Sequence, residues 1–308
     1  MRATRVLVTG AAGQVGVDLL DTLRGDTPSG GEGAFQPDGR PVALGEFEVL
    51  GLTRRDLDIT DHGAVARALE ACRPDVIVNL AAYTAVDRAQ IEVDECYAAN
   101  DVAVEAISRG AASLGAHLIT VSTDYVFDGE KGSAYVESDP TGPLNVYGAS
   151  KRAGELRCRG EDTIVRTSWV MGVRGRNVLH VIADRAERGE HVRFVNDQSG
   201  TVTAAADLAR ALVVLVRNRP GGTWHVANAT TATWFEVADF AGRSLGRGDD
   251  FVTAIATSEL DPAPLALRPA RSDLCCEKWV RQGWRALPDW HGAVERLLAG
   301  RVSDGARP

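Results

Sequence analysis

The chain has 308 residues, 44% of them hydrophobic and 25% charged, and a formal net charge of -8. That balance describes an ordinary globular protein of one large domain or two coupled ones, and the acidic surplus argues against a sequence-independent nucleic-acid binder. No apolar run approaches the roughly 20 residues of a membrane span, and Met1-Arg2-Ala3-Thr4 leads directly into a strand, so neither a membrane segment nor a signal peptide is expected.

Arg5-Val6-Leu7-Val8-Thr9 is a short apolar strand, followed by Gly10-Ala11-Ala12-Gly13-Gln14-Val15-Gly16 and then by Leu19, Leu20 and Leu23 at helical spacing. Glycines allow a tight turn and a close approach of backbone to a diphosphate, and the start of the helix adds N–H groups and a positive dipole. The spacing G-x-x-G-x-x-G is a variant of the dinucleotide fingerprint and marks a nucleotide site. Residues 25–46 carry Gly, Pro and acidic residues without periodicity and read as an exposed, solvated insertion.

Phe47 to Leu52 forms a second strand that ends in Thr53-Arg54-Arg55. An acidic residue at such a strand end holds the ribose hydroxyls of NAD, whereas arginine accommodates the 2′-phosphate of NADP. The pattern favours NADPH, with NADH as the other candidate. Asp58 is placed to contact adenine or to cap a local turn, and Thr60 or Asp61 caps a helix whose apolar stripe is Val65, Leu69 and Cys72. Asp75 to Ala82 is a near-continuous apolar strand, as in a parallel sheet covered on both faces, and small Ala81 and Ala82 leave room for a dinucleotide. A helix from about Val93 towards Leu114 carries Asn100 in its middle, where asparagine is unfavourable; it serves a ligand or a neighbouring backbone. Strand, helix, strand, helix is the rhythm of an α/β doubly wound parallel sheet.

The next strand, Leu118 to Val121, delivers Thr123 to its carboxyl end, where ligands of open α/β sheets bind. Tyr147 and Lys151 follow four residues apart, on one face if the segment is helical. An ammonium beside a phenol lowers a pKa that is ordinarily about 10, which makes a usable proton donor. Threonine at a strand end, Tyr-x-x-x-Lys on a helix and the glycine turn together resemble the short-chain dehydrogenase/reductases, in which Ser or Thr, Tyr and Lys form the hydride-transfer site.

The segments VTGAAGQVG, PDVIVNLAAYTAVD, STDYVFDG, PLNVYGASKRAGE and IVRTSWV, with NDQSG at 196–200 and RPARSDL at 268–274, narrow the likeness. They resemble the dTDP-4-dehydrorhamnose reductase family of extended short-chain dehydrogenases over nearly the whole chain. The resemblance implies a Rossmann domain over 1–168, joined by segments near 187–208 and 234–250, and an interleaved sugar-nucleotide domain over 169–308. It implies NADPH-dependent reduction of the 4-keto group of a dTDP-6-deoxy sugar, with Thr123, Tyr147 and Lys151 catalytic. Gly13, Gln14, Val15, Thr53, Asp58, Ile59, Ala82 and Tyr83 would lie near the cofactor. Thr123, Asp124 and Trp169 would touch the sugar nucleotide, and Asn177 and Arg268 are candidates for its diphosphate. Tyr125 stands where related dehydratases keep a glutamate base, which disfavours dehydration. A cofactor-binding regulatory subunit, known among relatives, is the alternative.

Met171, Val178, Ser199 and Val202 depart from the family's usual residues on the expected substrate side, which leaves the sugar open between rhamnose and a related one. Some members dimerise around Mg²⁺ through C-terminal carboxylates; here Asp289-Trp290-His291-Gly292 lacks the usual glutamate, so no Mg²⁺ is assumed and a monomer or homodimer is expected. Ala205 to Val216 reads as an apolar helix docking onto the sheet. Trp224, Trp234, Trp279, Trp284 and Trp290 are assigned to packing, with Trp169 the exception. Five cysteines without framework spacing point to reduced thiols in a cytoplasmic protein, and the histidines show no metal-ligand spacing.

Overall fold

The computed structural model describes residues 2–26 and 36–305. Strands β1 (Thr4–Thr9), β2 (Phe47–Leu52), β3 (Val76–Asn79), β4 (His117–Thr123) and β5 (Thr163–Thr167) pair in parallel. Helices α1 (Gln14–Arg24), α2 (His62–Cys72), α3 (Ala103–Leu114) and α4 (Val146–Arg157) connect them. Side chains alternate along each strand, and both faces are apolar. Val6 and Val8 join one core with Leu19 and Leu23, while Leu7 joins the opposite core with Val65, Leu69 and Ile107. Asp61 is the residue that caps α2, accepting from the Ala64 N–H at 2.8 Å.

The chain then builds a second lobe and returns. Helix α5 (Val178–Glu187) and strand β6 (Val192–Val195) precede α6 (Ala205–Asn218) and β7 (Gly222–His225), and α7 (Trp234–Ser244), β8 (Val252–Ile255) and α8 (Trp290–Gly305) follow. Strand β7 joins the main sheet beside β5, giving the order β7-β5-β4-β3-β1-β2. The order reverses between β1 and β3, and the crevice at that switch point is where such sheets bind ligands.

The segments expected to return to the first domain are corrected here. Strand β6 pairs with β8, and Leu179, Ile182, Val192, Val237, Ala241 and Val252 form the second lobe's own core. Only the end of the first expected segment returns, within residues 205–226, which pack into the core of the main sheet with Trp279, Trp284 and Leu287. Helix α6 is buried from Ala205 to Val216 because the sheet core and α1 cover it. All five cysteines are free, and no helix among the described residues is long and apolar enough to cross a membrane.

The insertion is exposed at 39–41 and 43–45, as expected, but it is also tethered. Residues 27–35 lie outside the described ones, but 36–46 is strapped onto α6. The buried Arg217 guanidinium donates to Asp38 at 2.8 Å, to Glu46 at 2.7 and 2.9 Å, and to the carbonyls of Arg40 and Pro41. The Arg285 N–H donates to the Pro37 carbonyl at 2.8 Å, and Val42 packs against the core. Arg217→Ala strands two carboxylates that have lost their cation, so stability is expected to fall by about 3 kcal/mol. Urea denaturation and proteolytic nicking within 36–46 check this; an unchanged midpoint would show the strap is held by other contacts.

Candidate active site

The turn after β1 is shaped by contacts that only glycine tolerates. Gly10 has φ +66°, and a Cβ there would lie 2.7 Å from the Ala81 nitrogen; at Gly16 it would lie 2.4 Å from the Gly10 carbonyl oxygen. Gly13 caps α1 without a side-chain hydrogen bond, so the first N–H groups of the helix remain for a ligand. A diphosphate fits such a cradle.

The turn opens into a cleft of about 1250 Å³, larger than the 300–1,000 Å³ typical of a site for one small molecule. Its walls include Gly10, Gly13, Gln14, Val15, Gly16, Arg54, Asp58, Ile59, Ala81, Ala82 and Tyr83 from the expected cofactor set. Thr123, Tyr147 and Lys151, and Asp124 and Trp169, line the same cleft. Thr123 ends β4, in register with Thr167 of β5. Tyr147 and Lys151 share one face of α4, whose N-cap is Asn145, accepting from the Gly148 N–H at 2.8 Å. Lys151 Nζ donates to the Val121 carbonyl at 2.6 Å.

Four expected ligand residues do not line the cleft. Asn100 sits in a π-helical turn, Ala98–Val102, between the helical turn Val93–Tyr97 and α3. Its side chain accepts from the Tyr83 N–H at 2.9 Å and donates to the Tyr83 carbonyl and the Ser150 hydroxyl, each at 3.0 Å. It therefore joins the cofactor wall to α4. Asn177 caps α5 and donates to Gln14 Oε1 and the Gly172 carbonyl. Arg268 forms a two-pronged pair with Asp87, at 2.7 and 2.6 Å. Thr53 donates to Asp56 at 2.7 Å. Each of these polar groups is bonded to protein and lies off the cleft wall. Met171, Val178, Ser199 and Val202 do not line the cleft either; Met171 and Val202 are packed in the second core with Val178 against them, and Ser199 donates to Asp273 at 3.1 Å.

The electrostatics also correct an expectation. Burial pushes the Tyr147 phenol up, and the neighbour that pulls it back is the Thr123 hydroxyl, not Lys151. Burial brings the Lys151 ammonium down to about 8, against the opposing charge of Glu155.

Two contributors were missed from sequence. Trp234 lines the cleft, its ring stacked on Trp169; a tryptophan at the start of an amphipathic helix gives no sign of which face it shows. Ser272, from the RPARSDL segment, donates to the buried Asp124 carboxylate at 2.5 Å, and Thr123 donates to its other oxygen at 3.0 Å. Burial raises Asp124 to about 7 despite those bonds, and nearby Asp273 adds to the rise. An unfolded aspartate titrates near about 3.9. The folded chain thus holds the extra proton between the two values; the stability this contributes is full below about pH 4 and is lost as pH rises towards 7. Asp124→Asn should remove that slope, seen as wild type losing stability relative to the variant from pH 4 to 7 in urea titrations. A constant gap would mean that the carboxyl is ionised throughout.

Known proteins share this architecture. A family profile described as RmlD substrate binding domain matches residues 40–302. The spore coat polysaccharide biosynthesis protein SpsK of Bacillus subtilis (strain 168) is 36% identical over 304 residues, 97% of this chain and 99% of that protein. The dTDP-4-dehydrorhamnose reductase of Sinorhizobium fredii (strain NBRC 101917 / NGR234) is 34% identical over 319 residues, 98% of this chain and 99% of that protein. The crystal structure of dTDP-4-dehydrorhamnose reductase from Bacillus anthracis str. Ames in complex with NADP superposes with a TM-score of 0.85 at 30% identity, over 96% of this chain and 99% of that chain. With a matching profile across most of its length and relatives aligned almost end to end, the chain belongs to the RmlD family, the dTDP-4-dehydrorhamnose reductases and their kin.

Proposed function

We propose that the protein reduces the 4-keto group of dTDP-4-dehydro-L-rhamnose, giving dTDP-L-rhamnose, with NADPH as reductant. The observation that carries the reading is the convergence of Thr123, Tyr147 and Lys151 in the cleft that begins at the Gly10–Gly16 turn. Relatives named for that reaction, and a relative solved with NADP, support it.

The Gly10–Gly16 backbone and the start of α1 would hold the diphosphate, and Arg54 the 2′-phosphate. When bound, the dinucleotide supplies a hydride to the sugar carbonyl carbon. With substrate bound, Thr123 turns its one hydroxyl proton from Asp124 to the carbonyl oxygen and steadies the charge that grows there. Tyr147 gives that oxygen its phenolic proton. Lys151 binds ribose hydroxyls and, mainly protonated at neutral pH with its pKa brought to about 8, keeps a positive charge near the proton donor. Leaving the phenol protonated until hydride arrives suits a group whose burial disfavours the phenolate.

Tyr147→Phe should lower kcat by about 10²–10⁴-fold while leaving NADPH affinity unchanged. The loss of NADPH absorbance with dTDP-4-dehydro-L-rhamnose measures it, and a rate equal to wild type would remove the tyrosine as acid. Arg54→Ala should raise the KM for NADPH about tenfold, the worth of a charge-assisted bond, without changing the KM for NADH. Equal rises for both would show that Arg54 does not read the 2′-phosphate.

A further inference from the structure

We propose that Trp234 is the platform on which a ring of the sugar nucleotide lies flat, with Trp169 as its fixed backing. The inference rests on the substrate class proposed above and identifies what grips it.

The two indoles are nearly parallel, with ring centroids 3.8 Å apart and planes inclined by 11°. Both face the cleft. Trp169 is the more confined of the two. Its backbone is held at φ +43°, a region that ordinary side chains rarely adopt. A Cβ built on Gly200 would meet Trp169 Cε2 at 2.7 Å, Cζ2 at 2.9 Å and Nε1 at 3.0 Å. These are three contiguous ring atoms at nearly equal distances, which places Gly200 over the face of the ring rather than its edge. The Gly200 backbone and the Trp234 ring cannot share one face, so Trp169 is sandwiched between them and turns only an edge to the cleft. Trp234, half-buried and lining the cleft, has one face on Trp169 and would take a ligand on the other.

Trp234 is presented from a rigid support. It is the first residue of α7, and Thr233 and Glu236 close a capping box around it: Thr233 Oγ1 accepts from the Glu236 N–H at 3.1 Å, and the Thr233 N–H donates to Glu236 Oε2 at 2.7 Å. Helix α7 is in turn anchored in the second core through Val237, Ala238 and Ala241. Trp169 comes from the other direction, two residues after Thr167, the register partner of the catalytic Thr123. The stack therefore starts next to the reacting centre and extends into the second lobe.

The charge of the cleft makes such a platform necessary. Among the described residues, the cations that line it are Arg54, Arg88 and Lys151. Arg54 and Lys151 are assigned to the cofactor, and Arg88 is paired with Glu92. Little cationic binding is left for a sugar nucleotide, so contact with its flat, uncharged parts must supply affinity. Thymine and the apolar face of a 6-deoxy sugar ring share that chemistry, and aromatic stacking serves both.

Trp234→Leu keeps an apolar side chain and removes the ring, while Trp234→Phe keeps a smaller ring. Titrations of dTDP and of NADPH, with KM for the dTDP-4-keto sugar, separate the possibilities. The Leu variant should bind dTDP about tenfold more weakly if thymine stacks, or show about a tenfold higher keto-sugar KM with unchanged dTDP affinity if the sugar ring does. The Phe variant should recover most of the loss, and NADPH affinity, the check on folding, should be unchanged in both. A Leu variant that matches wild type in dTDP affinity and keto-sugar KM overturns the proposal, as does a Phe variant no better than Leu. Should wild type itself neither bind dTDP nor consume NADPH with the keto sugar, the substrate reading falls and this proposal with it; the wild-type control tells the two failures apart.

Discussion

The placement of the reacting groups depends on how closely α4 lies against two stretches of backbone. A Cβ at Gly148 would stand 2.1 Å from the Tyr125 carbonyl oxygen, and one at Gly154 would stand 2.0 Å from the Asn100 carbonyl oxygen. Both distances are impossible for a real side chain, so the helix can dock here only with glycine at these positions. The docking brings Lys151 within reach of the Val121 carbonyl and sets Tyr147 beside Thr123. The π-helical turn at Ala98–Val102 is the other half of the contact: it carries the Asn100 carbonyl to Gly154 while the Asn100 side chain holds Tyr83 and Ser150. The cleft wall at Tyr83 and helix α4 are thus joined by one residue.

The ionisable groups on the cleft floor share a tendency. Burial moves Lys151 down, and Asp124 and Tyr147 up, so each is pushed towards its neutral form. A site that makes charge costly also makes an unprotonated alkoxide costly. The hydroxyls of Thr123 and Ser272 moderate the cost of charge at Asp124, to which both donate. The tyrosine is poised by what surrounds it more than by the lysine one turn away.

Much of this was legible in the sequence because it depends on local pattern. The runs around Val6-Leu7-Val8 and Val76-Ile77-Val78 are short, β-branched and apolar on successive residues, which suits a sheet covered on both faces. The glycine turn and the four-residue spacing of Tyr147 and Lys151 are equally local. What stayed hidden depends on partners far along the chain. An apolar stripe on 178–187 or 234–244 says that a face is buried but not against which core. Asn177 and Arg268 look like free polar groups until Gln14 and Asp87 are brought beside them by the fold. The partnership of Ser272 with Asp124 spans 148 residues and has no sequence signature.

The two lobes are not consecutive pieces of chain. The described residues up to Thr167 form the first, 169–204 enter the second, 205–226 return, and 234–255 leave again before Trp279–Leu287 come back and α8 ends in the second core. Several covalent links therefore span the cleft, which restrains any wide hinge-like opening. It also means that no single cut point yields two modules to be recombined with those of a relative. Diversification towards a different sugar must proceed by exchanging individual side chains on the cleft wall, within a frame that evolution cannot shuffle as cassettes.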